Sequence, residues 1–90
     1  MTDDSPPPPA MRDPVPLVAP DLRVAGVTLS LWLVNEGDDV LEGDRVVELV
    51  AGGVTVDLGA PVSGRLVAQR VDEDAAVVPG TVLAEFEAAP

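Results

Sequence analysis

Apolar residues recur at two-residue spacing in short runs along the chain, and glycine-rich or acidic stretches interrupt them. Alternating runs of four to eight residues bounded by turn residues predict β-strands. The clearest case is Arg45–Leu58, where Val46–Val50 and Val54–Leu58 flank Gly52-Gly53. A Gly-Gly pair in that setting predicts a two-residue type I′ hairpin. That turn needs φ > 0 at both central positions, which glycine adopts without a Cβ clash. No segment longer than about ten residues keeps a helical period.

The strand pattern repeats. Leu17–Leu49 lies over Val54–Phe86 at an offset of 37 residues, placing Leu29 on Leu66, Val34 on Val71, Glu36 on Glu73, Val40 on Val77, Gly43 on Gly80 and Glu48 on Glu85. Four of these identities are apolar or glycine positions, the ones that set strand burial and turn geometry. Each unit is predicted to supply a short strand, a bend, a longer strand, a turn and a return strand. In the first unit these are Leu17–Ala19, Val27–Val34, the turn Glu36-Gly37-Asp38, Val40, the turn at Gly43, and Arg45–Val50. In the second they are Val54–Val56, Arg65–Val71, the turn Asp72–Asp74, Val77, Pro79-Gly80 and Thr81–Glu87. Short strands punctuated in this way predict an all-β fold, a small sandwich or flattened barrel.

One strand breaks the alternation. Val27, Leu29, Leu31 and Leu33 share one face of Val27–Val34, yet Trp32 and Val34 make the other face apolar too. Either a bulge between Leu29 and Trp32 shifts the register, or something covers the second face. The repeat favours the bulge, because Leu66 and Val71 show the same odd spacing. Leu31 and Leu33 are then partly exposed and become candidate contacts for the N-terminal arm or for a partner.

Composition narrows the function classes. Residues 1–14, with Asp3, Asp4 and the Pro6–Pro9 run, predict a disordered Pro-rich arm acting as a stiff spacer, and the folded domain is expected over 15–88, with repeat units 17–49 and 54–86. No apolar run approaches the roughly 18 residues of a membrane span. The start, MTDDSPPPP, lacks the basic and apolar regions of a signal peptide, so the expectation is a cytoplasmic module. The sixteen acidic and five basic residues give a net charge of −11. Such a charge repels phosphate backbones and suits docking on basic surfaces. All five basic residues are arginines (Arg12, Arg23, Arg45, Arg65 and Arg70), and cysteine, histidine and lysine are absent. That removes disulfides, thiolate nucleophiles, the common zinc ligands and the usual general base near neutral pH.

The remaining chemistry is thin. Asp38-Asp39 and Asp72–Asp74 are turn carboxylates on an acidic surface, and neither cluster has the spacing of a calcium loop. Ser5, Ser30 and Ser63 have no histidine or lysine to activate them, and the glycines match no phosphate-binding loop. The expectation is a chain with no catalytic residues and no metal site, not an enzyme.

A longer pattern runs through the folded part: Ser30-Leu31-Trp32-Leu33-Val34, Glu36-Gly37-Asp38-Asp39-Val40, Glu42-Gly43-Asp44, Glu48, Ala60-Pro61-Val62-Ser63-Gly64-Arg65-Leu66, Val77, Pro79-Gly80, Val82-Leu83-Ala84 and Phe86. In this order and spacing the chain resembles the biotinyl/lipoyl-attachment domains, especially the lipoyl domains of 2-oxo acid dehydrogenase acyltransferases. The resemblance implies a barrel-sandwich hybrid, two four-stranded antiparallel sheets related by a pseudo-twofold axis. In relatives, a lysine at the tip of the central hairpin carries lipoyl or biotin through an amide bond. Counting back seven residues from Ala60, as the family spacing requires, reaches Gly53, and Gly52 falls where lipoyl domains usually have aspartate.

That departure sets the functional expectation. An amide-linked arm needs a side-chain amine, and Gly53 supplies none. The resemblance then implies a lipoyl-type domain without its attachment lysine or cofactor, acting as a non-catalytic docking module for protein partners of a carrier-dependent complex. A first alternative is descent from a true carrier domain of a 2-oxo acid dehydrogenase complex, degenerate or altered at Gly53. A second is a structural module like the lysine-free lipoyl-like domains of transport adaptors, which insert a helical hairpin where this chain has only Ala51-Gly52-Gly53. Gln69 also departs from the pattern, standing at the repeat position of Trp32 where relatives place an apolar residue. It is expected near the rim, reaching water.

Overall fold

The computed structural model describes residues 13–90. Asp13 and Pro14 are exposed and outside regular structure, and the rest of the arm expected over 1–14 lies outside the described residues. Seven strands follow: β1 (Val15–Val18), β2 (Thr28–Trp32), β3 (Asp39–Val40), β4 (Arg45–Ala51), β5 (Val54–Gly59), β6 (Gly64–Gln69) and β7 (Val82–Ala88). They form two antiparallel sheets, one ordered β1-β7-β6-β3 and the other β2-β4-β5. The described residues contain no helix, so none is long and apolar enough to cross a membrane. Where the resemblance implies a fourth strand in the second sheet, the chain makes a single bridge between Thr28 and Ala76. Its counterpart in the other sheet is the pair Asp39–Arg65.

Strand registers show how closely the halves correspond. In the first half Thr28, Leu29, Leu31 and Trp32 face Val50, Leu49, Glu48 and Val47. In the second, Arg65, Leu66, Ala68 and Gln69 face Glu87, Phe86, Glu85 and Ala84. Each pair is displaced from its counterpart by the 37 residues of the sequence repeat. The register slips between Leu29 and Leu31, and likewise between Leu66 and Ala68. These matching bulges swap the faces beyond Leu29: Leu31 and Leu33 turn outward and are exposed, Trp32 and Val34 turn inward against the core, and Leu29 stays fully buried.

The first strand of each unit departs from that offset. Leu17 faces Ala84, whereas Leu58, not Val54, faces the equivalent Val47. The counterpart of β1 is therefore the far end of β5, and the bend after β1 is four residues longer than the one after β5. Alternation alone missed this, because Val54, Val56 and Leu58 belong to one period-2 run and any two of them fit a short strand.

The core consists largely of pseudo-twofold pairs. Leu29 and Leu66, Leu49 and Phe86, and Val46 and Leu83 are all fully buried. Second bulges, at Arg45–Val47 on β4 and opposite Leu17–Val18 on β7, let adjacent residues face inward together: Val46 with Val47, and Leu83 with Ala84. One position tolerates only glycine for steric reasons. A Cβ on Gly64 would collide with the backbone carbonyl oxygen of Glu87 and come within 3.0 Å of Ala88 Cα.

Candidate functional site

The hairpin joining β4 to β5 closes with Ala51 opposite Val54 and Gly52-Gly53 at its tip. Gly52 has φ 60° and Gly53 φ 80°, both in the left-handed region that a type I′ turn requires. Both glycines are exposed, and a Cβ built on either meets nothing within 4 Å. The tip is thus a closed turn of bare backbone projecting into open space. The residues present do not fit an amide-linked lipoyl or biotinyl group at this tip, because neither glycine offers an amine and the ninety residues include no lysine.

Leu31 and Leu33, the candidate partner contacts, are 37% and 42% exposed. The structure does not bring them to the tip. Leu31 lies opposite Glu48, four residues before Gly52, roughly 13 Å along the strand at about 3.3 Å per residue. Leu33 instead lines a groove with Val34, Val40, Asp44, Glu48 and Asp57. Arg45 lines the same groove, and its Nη1 lies 3.3 Å from Asp57 Oδ2.

A second groove, unforeseen from the sequence, straddles the pseudo-twofold relation. It is lined by Trp32, Gln69, Asn35, Asp72, Glu36 and Glu73, three pairs of equivalent positions, together with Val71. Hydrogen bonds across it are reciprocal. The Trp32 backbone N–H donates to Glu73 Oε2 at 2.9 Å, and the Gln69 backbone N–H donates to Glu36 Oε2 at 2.8 Å. Trp32 Nε1 donates to the Val71 carbonyl, and Gln69 Nε2 donates to the Val34 carbonyl, both at 3.0 Å. Gln69 therefore does not simply reach water. Its half-buried carboxamide places an N–H donor in the role that the indole N–H fills in the other half. The sequence signal was the identity of Glu36 and Glu73 within the repeat, which marked a shared structural duty.

The turn carboxylates satisfy backbone donors. Asp38 Oδ2 accepts from the Asn35 N–H at 2.8 Å, and Asp44 Oδ2 accepts from the Leu41 N–H at 2.9 Å. Asp39 Oδ1 lies 3.5 Å from Arg65 Nε. Among the described residues no three histidine, cysteine or carboxylate side chains are grouped to hold a metal ion.

Comparison with known proteins places this arrangement. The biotin/lipoyl family model, described as "Biotin-requiring enzyme", matches residues 15–86. Two relatives are the dihydrolipoyllysine-residue acetyltransferase components of the pyruvate dehydrogenase complexes of Mycobacterium bovis and Mycobacterium tuberculosis. Each is 36% identical over 80 residues, an alignment covering 87% of this chain. The chain spans only 14% of the length of either curated relative. The solution structure of the lipoyl domain of the 2-oxoglutarate dehydrogenase complex from Azotobacter vinelandii shares the fold. It superposes with a TM-score of 0.67 at 20% identity, covering 80% of this chain and 94% of that one. The two-sheet architecture and the match over nearly the whole folded region lead to one conclusion: this chain belongs to the biotin/lipoyl domain family.

Proposed function

We infer that this chain is a lipoyl-type domain that docks on protein partners without carrying a prosthetic group. The observation that supports this most directly is the glycine tip, a stable turn with no side-chain amine in a sequence that contains no lysine. On this reading Gly53 stands at the family's attachment position, and the module is a non-catalytic component of a multienzyme assembly such as the one named for its mycobacterial relatives. Gly-Gly favours closure of the type I′ turn, so the tip serves hairpin stability alone.

Mass spectrometry of the chain after co-expression with a lipoate or a biotin ligase tests the reading. The expected spectrum shows the unmodified mass, and a stable adduct at lipoyl or biotinyl mass overturns it. One observation favours descent from a true carrier as a second reading: the open space around Gly53 leaves room for a long side chain. Under that reading Gly53→Lys, combined with Gly52→Asp, gains a lipoyl adduct from the ligase. No gain, with the hairpin still folded, removes recent carrier ancestry.

A further inference from the structure

We propose that the groove beside Leu33 and Glu48 is a docking site for an arginine side chain presented by a basic protein partner. This rests on the docking reading above and gives the partner its chemistry. The argument comes from a break in the pseudo-twofold correspondence. In the second half, Arg70 Nε donates to Glu85 Oε1 at 2.6 Å. The equivalent residues in the first half are Leu33 and Glu48. The Leu33 N–H bonds to the Val46 carbonyl just as the Arg70 N–H bonds to that of Leu83, and Glu48 faces Leu31 where Glu85 faces Ala68. The first half therefore keeps the acceptor and lacks the guanidinium.

Nothing else described takes its place. Among the described residues no donor lies within hydrogen-bond distance of the Glu48 carboxylate, and Arg45, on the same strand, pairs with Asp57. Apolar surface surrounds the gap: Leu33, Val34 and Val40 line the groove, and Leu31 lies beside Glu48 in the register. Asp44 and Asp57 add negative charge. An arginine matches this combination, since its aliphatic stem covers apolar surface while its planar fork engages a carboxylate. The net charge of −11 steers basic partners toward the domain and opposes a second copy of this chain in the groove.

The test is a titration of the isotope-labelled chain with a blocked Leu-Arg-Leu peptide, its citrulline twin and its lysine analogue at low salt, read from backbone amide shifts. The arginine peptide is expected to shift Leu31, Leu33, Glu48 and Asp57, while the citrulline peptide leaves them in place and the lysine peptide binds more weakly. Glu48→Gln is expected to weaken binding roughly fivefold, the scale of a half-exposed ion pair. Leu33→Arg, which supplies the guanidinium within the chain, is expected to abolish it.

Absence of shifts, equal shifts with citrulline or lysine, shifts centred on Asp72–Asp74, or unchanged affinity in Glu48→Gln would overturn the proposal. So would the same shifts on concentrating the chain alone, which would identify a second copy as the occupant. An adduct found by mass spectrometry would defeat the cofactor-free reading and leave this titration intact, so the two failures are distinguishable.

Discussion

Gln69→Glu isolates the donor that links the two halves of the domain. The change keeps the side chain's shape but replaces the N–H that reaches the Val34 carbonyl at 3.0 Å with a second oxygen. Losing that bond costs about 1 kcal/mol, the usual net value of an internal hydrogen bond. The introduced carboxylate also enters a groove already lined by Glu36, Asp72 and Glu73. Because the groove is open to water, that repulsion is screened and adds about another 1 kcal/mol. A total near 2 kcal/mol lowers the melting temperature by roughly 8–16 °C for a domain of this size.

Urea and thermal unfolding followed by the fluorescence of Trp32, the one tryptophan in the chain, would measure the difference. Its pH dependence has a definite sign. The folded environment opposes ionisation of the introduced carboxyl, so its folded pKa rises above the unfolded value of about 4.3. The deficit relative to wild type is then complete above the folded pKa, fades as pH falls from that value toward the unfolded one, and is gone below it. A variant that melts like wild type at neutral pH, or whose deficit persists unchanged in acid, would refute the assignment of Gln69 as a structural donor.

Two further substitutions test the frame around the site. Gly64→Ala forces a methyl group against the Glu87 carbonyl and the Ala88 backbone, and the strain is expected to cost about 1–3 kcal/mol in chemical denaturation. A neutral result would mean β6 and β7 separate more easily than the geometry implies. Phe86→Ala empties the centre of the core, where Phe86 is fully buried. It is expected to cost about 3–5 kcal/mol, a large share of the stability of a small domain, and to leave the chain partly unfolded at 37 °C by circular dichroism.

The sequence alone determined the β-class, the bare hairpin tip and the duplicated half, because each is a local property. Alternation sets which side chains can share a face, Gly52-Gly53 sets the turn, and the recurrence of Leu29, Val40 and Gly43 37 residues later sets the repeat. The bulge was legible for the same reason: Trp32 and Val34 broke the alternation that Val27, Leu29, Leu31 and Leu33 kept. Partnerships across the sheets were decided only by the tertiary structure. That β1 corresponds to the far end of β5, that Gln69 bonds to the Val34 carbonyl, and that among the described residues Glu48 lacks the cation Glu85 possesses all depend on residues between 11 and 67 positions apart. A one-dimensional pattern states how often a side chain turns inward. It does not state which strand will be waiting there, since that choice is made by the collective burial of both sheets.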